Sequence, residues 1–239
     1  MQVVYEDNHI IIVSKGSGEI VQGDKTGDIP LSENVKAYIK EKYAKPGEVF
    51  LGVVHRLDRP VSGLVVFART SKALARMNDM FRNNEVHKTY WAIVEERGER
   101  KEERGERNEE GTLIHWIVRN EKQNKSYAYD RERPHSKKAV LNYKVIGATE
   151  RYTLIEVNLL TGRHHQIRCQ LAAIGCPIKG DLKYGAKRSN GDGSISLLAR
   201  RVEFIHPVSK KNICVEAPLP DDNLWRAICP ASPGGSAVE

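Results

Sequence analysis

Asp58 sits in the polar stretch Val54-His55-Arg56-Leu57-Asp58-Arg59-Pro60, between apolar runs at 49–54 and 64–68. Polar residues between two buried-strand patterns form a rigid loop at a sheet end, where reactive groups are usually displayed. A carboxylate held against apolar walls can act as nucleophile, general base or cation partner. The same residues also fit a structural ion pair with Arg56 or Arg59.

A second stretch runs Leu159-Leu160-Thr161-Gly162-Arg163-His164-His165-Gln166-Ile167-Arg168. Helical spacing puts Ile167, Leu171 and Ile174 on a buried stripe, with Arg168 at its edge. A half-buried arginine there holds a carboxylate through paired hydrogen bonds, as a packing salt bridge or as part of a site. Arg163, His164, His165 and Gln166 crowd the expected first turn of a helix over about 162–174. Free N–H groups and the helix dipole favour a phosphate at such a turn. Neighbouring helical residues diverge, so His164 and His165 are not expected to share a metal. A third stretch, Lys88-Thr89-Tyr90-Trp91, reads as a strand. Its tyrosine either packs across strands or meets a base or a proton at a site.

The elements that must position these groups follow from hydrophobic periodicity. Strands are expected at 3–5, 10–13, 49–54, 64–68, 88–94, 112–118, 139–146, 152–160, 195–204 and 212–216. Helices are expected from Ser32 as cap to about Tyr43, and from Thr70 or Ser71 to Asn83, besides the one over 162–174. Strands outnumber helices and crossovers are few. The expected class is α+β, a mixed and mostly antiparallel sheet with flanking helices. Residues 97–110 alternate in charge and read as a mobile loop, and 227–239 as a disordered tail, leaving one domain over 1–226.

The 239 residues carry 38 Lys plus Arg against 31 acidic residues, a net charge of +7. That balance suits a polyanionic partner such as nucleic acid, or serves solubility alone. Four cysteines show no metal-binding spacing and fit idle thiols in a reducing compartment. No apolar run approaches the roughly 20 residues of a membrane span, and no signal-peptide pattern opens the chain. A cytoplasmic location is the expectation.

Together the stretches resemble the RluA-type pseudouridine synthases. The similarity covers Val54-His55-Arg56-Leu57-Asp58-Arg59-Pro60-Val61-Ser62-Gly63, Lys88-Thr89-Tyr90 and Thr161-Gly162-Arg163-His164-His165-Gln166-Ile167-Arg168. It continues through Pro177-Ile178-Lys179-Gly180-Asp181 with Tyr184-Gly185, then Phe204-Ile205-His206-Pro207 and Ala217-Pro218-Leu219-Pro220. The resemblance implies the pseudouridine synthase catalytic fold and isomerisation of uridine in ribosomal or transfer RNA, with no cofactor and no metal. It implies Asp58 as nucleophile, Tyr90 at the target base and Arg168 as partner of the aspartate. Arg56, Arg59, Lys88, Arg163, His165 and Gln166 become candidate RNA contacts, with Lys15, Arg69 and Lys72 as further phosphate candidates. A monomer acting on RNA without a protein partner is expected. A non-catalytic RNA-binding protein on the same fold is the alternative, and a base hydrolase would need a second carboxylate.

Four positions depart from the family pattern. Ser14-Lys15-Gly16-Ser17-Gly18 lacks the usual proline, Val61 and His164 replace threonines, and Leu198 stands where a histidine is usual. None of these replaces Asp58, Tyr90 or Arg168, so they bear on substrate choice.

Overall fold

The computed structural model describes residues 1–95 and 109–229. The apolar runs become strands of a mixed sheet: β1 (Gln2–Glu6), β2 (Ile10–Lys15), β3 (Gly52–Val53), β4 (Ser62–Ala68), β5 (His87–Glu95), β6 (Glu110–Asn120), β7 (Lys125–Tyr129), β8 (Lys137–Ala148), β9 (Tyr152–Leu159), β10 (Leu197–Ile205) and β11 (Asn212–Glu216). Among the described residues they lie in the order β1-β2-β4-β10-β5-β9-β8-β6-β7, with β3 added to β4 and β11 to β10. The β4–β10 pair is parallel and the other named pairs are antiparallel. The α+β expectation holds.

The central strands read as continuous apolar runs because both sheet faces are covered. Ile11, Val13, Val65 and Phe67 face the helix α1 (Leu31–Lys42) and α3 (Gln166–Ala173), in one cluster with Val35, Ile39, Ile167 and Leu171. Ile10, Ile12, Leu64 and Val66 point the other way, against α2 (Ser71–Arg82) and α4 (Asn223–Ile228), with Met77, Trp225 and Ile228. Alternation along a strand sends successive residues to opposite faces. Each such side chain, fully buried, contributes about 1.5–3 kcal/mol.

Gly63 marks a close approach between two central strands. It pairs with Ala199 at the parallel β4–β10 junction and holds φ +114°. A Cβ there would come 2.4 Å from the Ala199 carbonyl oxygen. Only glycine fits both the dihedral and the approach.

Several boundaries differ from expectation. Thr70 caps α2 by accepting from the Ala73 N–H at 3.1 Å, but α1 begins behind Pro30 and buries Ser32 within its first turn. Only Gly52–Val53 of the run 49–54 pairs with a neighbour. Strand β7 and helix α4 carry no strong period in the sequence. α4 is set by Asp222, whose carboxylate accepts from the N–H groups of Leu224 and Trp225. It takes in Ala227 and Ile228, beyond the expected domain end, and Glu110 already belongs to β6. Residues 97–108 of the charged segment and 230–239 of the tail lie outside the described residues.

Candidate active site

The Asp58 loop is anchored from both sides. His55 Nε2 accepts from the Val66 N–H of β4 at 2.9 Å, and its ring stacks on Phe81 of α2 at 5.0 Å between centroids. Burial, followed by the charge of Lys88, pushes the His55 pKa down to about 3, so this ring is a neutral anchor. Lys15, at the end of β2, is 1% exposed. Its Nζ donates to the carbonyls of Gly16 at 2.8 Å, Arg59 at 3.1 Å and Val61 at 2.6 Å. Three donors meet three acceptors, two of which flank the turn closed by the Val61 N–H on the Asp58 carbonyl at 3.0 Å. Burial brings the Lys15 pKa down to about 8, against the opposing charges of Glu19 and Asp58. The expected phosphate contact at Lys15 is therefore overturned: its three protons are used inside the protein.

The helix bearing Arg168 starts later than its periodicity implies. His165 adopts a left-handed backbone, φ 51° and ψ 29°, and α3 begins at Gln166. Gln166 fixes the preceding turn by accepting from Thr161 Oγ1 at 2.8 Å and the Arg163 N–H at 2.9 Å, while donating to the Val140 carbonyl at 3.1 Å. Its amide therefore organises the loop rather than facing outward. The left-handed turn also brings the two histidine rings together, stacked at 3.8 Å, where a continuous helix would have spread them. Ile174, expected in the buried stripe, is 36% exposed at the end of α3.

Arg168 is buried, more deeply than the half-burial expected, and it holds two carboxylates. Nε and Nη2 donate to Asp181 at 2.7 and 2.9 Å, and Nη1 donates to Asp58 Oδ2 at 3.0 Å. Burial alone would lower its pKa, but the hydrogen bonds and charge of Asp181, then of Asp58, reverse this and push it up. Arg168 is thus a fixed cation. His165 Nε2 stands 3.4 Å from the same Asp58 oxygen and 3.2 Å from Arg168 Nη1. The ring is set by Tyr184, whose hydroxyl lies 2.9 Å from His165 Nδ1 and accepts from the Ser126 N–H at 2.8 Å. The Arg168 guanidinium can only donate, so its Nη1 contact makes Nε2 an acceptor and leaves the imidazole proton on Nδ1, toward the Tyr184 oxygen. Burial, then Arg168, pushes the His165 pKa down to about 2, so the ring is neutral and its contact with Asp58 is not an ion pair.

One Asp58 oxygen is gripped and the other is not. Among the described residues no hydrogen bond reaches Oδ1, and the side chain is 31% exposed. It opens into a cavity of about 100 Å³ whose walls include Leu57, Tyr90, Leu159, Ile167 and Leu197. Tyr90 is buried there, and burial followed by the charge of Asp58 pushes its pKa up, so it stays protonated. This cavity joins a cleft of about 830 Å³ bordered by Phe81, Lys88, Arg119 and His164. Another cavity, of about 760 Å³, is bordered by Lys179, Asn190 and Trp225, away from the Asp58 carboxylate.

Asp58, Tyr90, Arg168, His165, Arg56 and Arg163 all border the small cavity. Lys88 lies in the cleft, its Nζ 5.1 Å from the Phe81 ring centre, and burial lowers its pKa. Arg59 is not part of this group. It turns to Asp28 at 2.7 Å, Asp24 at 3.8 Å and Thr26 Oγ1 at 2.8 Å. Arg69 binds the Asp7 carbonyl and lies over Tyr43. Asp181, Tyr184 and Ser126 were missed as supports of the site. Nothing local in a Gly-Asp pair signals that it will meet an arginine thirteen residues earlier.

The chain matches the RNA pseudouridylate synthase family over residues 9–173. It is 34% identical to the uncharacterized RNA pseudouridine synthase YhcT of Bacillus subtilis, over 95% of this chain and 72% of that one. It is 30% identical to ribosomal large subunit pseudouridine synthase C of Vibrio cholerae, over 91% of this chain and 65% of that one. It thus spans between about two thirds and three quarters of the length of these relatives. The solved structure of human RNA pseudouridylate synthase domain containing 4 shares the fold, with a TM-score of 0.73 at 22% identity over 94% of this chain and 90% of that one. The chain belongs to the RNA pseudouridylate synthase family as an RluA-type member, an isomerase that acts on RNA.

Proposed function

We propose that this chain converts specific uridines of ribosomal or transfer RNA to pseudouridine, with Asp58 as nucleophile. The observation that carries this is the asymmetric hold on Asp58: Arg168 donates to Oδ2, with His165 3.4 Å from the same oxygen, while Oδ1 has no partner among the described residues and the carboxylate faces the small cavity. A carboxylate oriented by one oxygen keeps the other for attack, and orientation of this kind supplies much of a catalytic advantage.

The reaction conserves atoms. The bond between uracil N1 and ribose C1′ breaks, the base turns, and carbon-5 bonds to C1′. A proton leaves carbon-5, one is taken up at N1, and Asp58 is released unchanged. Attack by the carboxylate at C1′ or on the uracil ring satisfies the same balance. Tyr90 stays protonated in the cavity wall, so its role in this reading is contact with the target base. Arg168 supplies a cation that pH does not remove. The target base must leave its stack to enter, at a cost of about a few kcal/mol.

A base hydrolase would use two working carboxylates. The second carboxylate near this site, Asp181, is 2% exposed and has both oxygens on Arg168, so it is a poor acid or base.

Release of tritium from RNA labelled at uracil carbon-5, with ribosomal and transfer RNA as separate substrates, tests the proposal. Wild type should release it and Asp58→Asn should fall by more than ~10³-fold, roughly 4 kcal/mol of barrier. Equal release by the two proteins would rule out Asp58 as nucleophile, and free uracil among the products would favour hydrolysis.

A further inference from the structure

A second cavity, of about 240 Å³, opens off the cleft on the far side of His164, and the two share Arg119, Arg163 and His164. Its floor is the buried Ile117, and its rim adds Lys137 and His135. Among the described residues no carboxylate lines it. The acid nearest a rim cation, Glu121, is 4.0 Å from Arg119 and itself well exposed. Lys137 has no ion-pair partner among the described residues, and Arg163 is held by its Nε on the Lys138 carbonyl at 3.0 Å. Three cations around one small cavity repel one another unless an anion sits between them. We propose that this cavity is a phosphodiester-binding subsite for a nucleotide beside the target uridine; the inference rests on the RNA-modifying reading above.

The subsite is tied rigidly to the Asp58 carboxylate through His164. Its Nδ1 lies 2.8 Å from Ser126 Oγ and its Nε2 3.2 Å from Asn124 Oδ1, both on the β6–β7 hairpin. Its ring stacks on His165, which stands 3.4 Å from Asp58. His164 borders the subsite and stacks on the ring beside Asp58, so it lies between subsite and nucleophile. A phosphate captured at a fixed offset from Asp58 selects which uridine can enter the small cavity. Phosphate contacts position a nucleic acid without reading its sequence, so the subsite sets spacing rather than base identity.

The test compares wild type with the Arg119→Gln/Lys137→Gln double variant on large-subunit ribosomal RNA tritiated at uracil carbon-5, at several salt concentrations. Both residues are exposed, and circular dichroism checks that the variant is folded. The expected result is a KM raised roughly tenfold at 0.1 M salt, with kcat within twofold. The slope of log affinity against log salt should flatten by about 0.7 to 1 for one lost phosphate contact. An unchanged KM and slope in the folded variant overturns the subsite, as does a raised KM with an unchanged slope. Absence of release by wild type overturns the parent reading instead. In that case filter retention of the same RNA, read for the same slope change, decides the subsite independently.

Discussion

The two ends of the His164–His165 stack are built to opposite rules. On the His165 side, Asp58, Arg168 and Asp181 form a chain of short hydrogen bonds in a buried setting, and the oxygen left over is the one facing the cavity. On the His164 side, Arg119, Lys137 and Arg163 stand exposed around a cavity with no carboxylate on its wall among the described residues. Paired charges in low dielectric fix geometry, while unpaired charges in water keep their attraction for an incoming polyanion. The difference teaches that positioning for chemistry and capture of RNA are divided between neighbouring groups. One histidine pair joins them.

The largest test of that division falls on Asp181, whose carboxylate hydrogen-bonds only to Arg168 among the described residues. Asp181→Asn removes the paired acceptor of Arg168 and leaves a buried guanidinium half compensated. Breaking a buried pair in this way costs about 3–5 kcal/mol of stability. Arg168 then keeps Asp58 as its one carboxylate partner, and a small misplacement of that carboxylate costs on the order of 10²-fold in rate. The expected outcome is a lower melting temperature together with a kcat down about 100-fold and KM for RNA nearly unchanged. A variant that raises KM while keeping kcat would place Asp181 on the capture side and break the comparison.

How much of this was legible in the sequence follows the same division. Asp58, Tyr90 and Arg168 each kept a structural reading on residue type alone and were singled out by the family resemblance, and the structure brings all three to one cavity. The strands were legible because β2 and β4 are buried on both faces, which leaves an apolar run with no interruption. β7 was not: Ser126 and Ala128 are small, and its pairing with β6 depends on a neighbour supplied by the fold. The start of α3 was missed because a left-handed His165 breaks a pattern that periodicity alone carries through. Lys15 was misread because a lysine in a glycine-rich stretch looks exposed, and two of its three carbonyls come from the loop around Pro60. Asp181 needed the folded distance to Arg168.

Lys15 gives a test in which rate and stability move in opposite directions. Its pKa, about 8 in the folded chain, lies below the ordinary lysine value near 10.5. Below about pH 8 both folded and unfolded chains carry the proton. Between about pH 8 and 10.5 the unfolded chain holds it more often, so the Lys15 contribution to stability increases as pH rises through that window, by roughly 3 kcal/mol. Over the same window the amine loses one of three donors, and the turn after Asp58 loses a tether. Wild-type kcat should therefore fall above about pH 8, by about three- to tenfold, while its melting temperature gains on that of Lys15→Met. Lys15→Met should be slower throughout and lack the alkaline limb. An identical limb in both proteins would show that the loop does not depend on this lysine.

The smallest effect is expected at Arg59, and it sharpens the boundary of the capture surface. Arg56 and Arg59 flank the same aspartate, yet Arg56 is exposed at both the small cavity and the cleft. Arg59 is held by Asp24, Asp28 and Thr26 on the loop between β2 and α1. An arginine engaged by two surface carboxylates brings little net charge to RNA, and exposed pairs of this kind contribute about 0–1 kcal/mol to stability. Arg59→Ala should thus change KM by less than about threefold, with kcat and melting temperature close to wild type. Arg56→Ala should raise KM several times more, and its salt dependence should flatten by about one phosphate contact. If the two variants weaken RNA equally, the Asp24–Asp28 loop releases Arg59 when RNA arrives, and the capture surface extends around the Asp58 loop to α1.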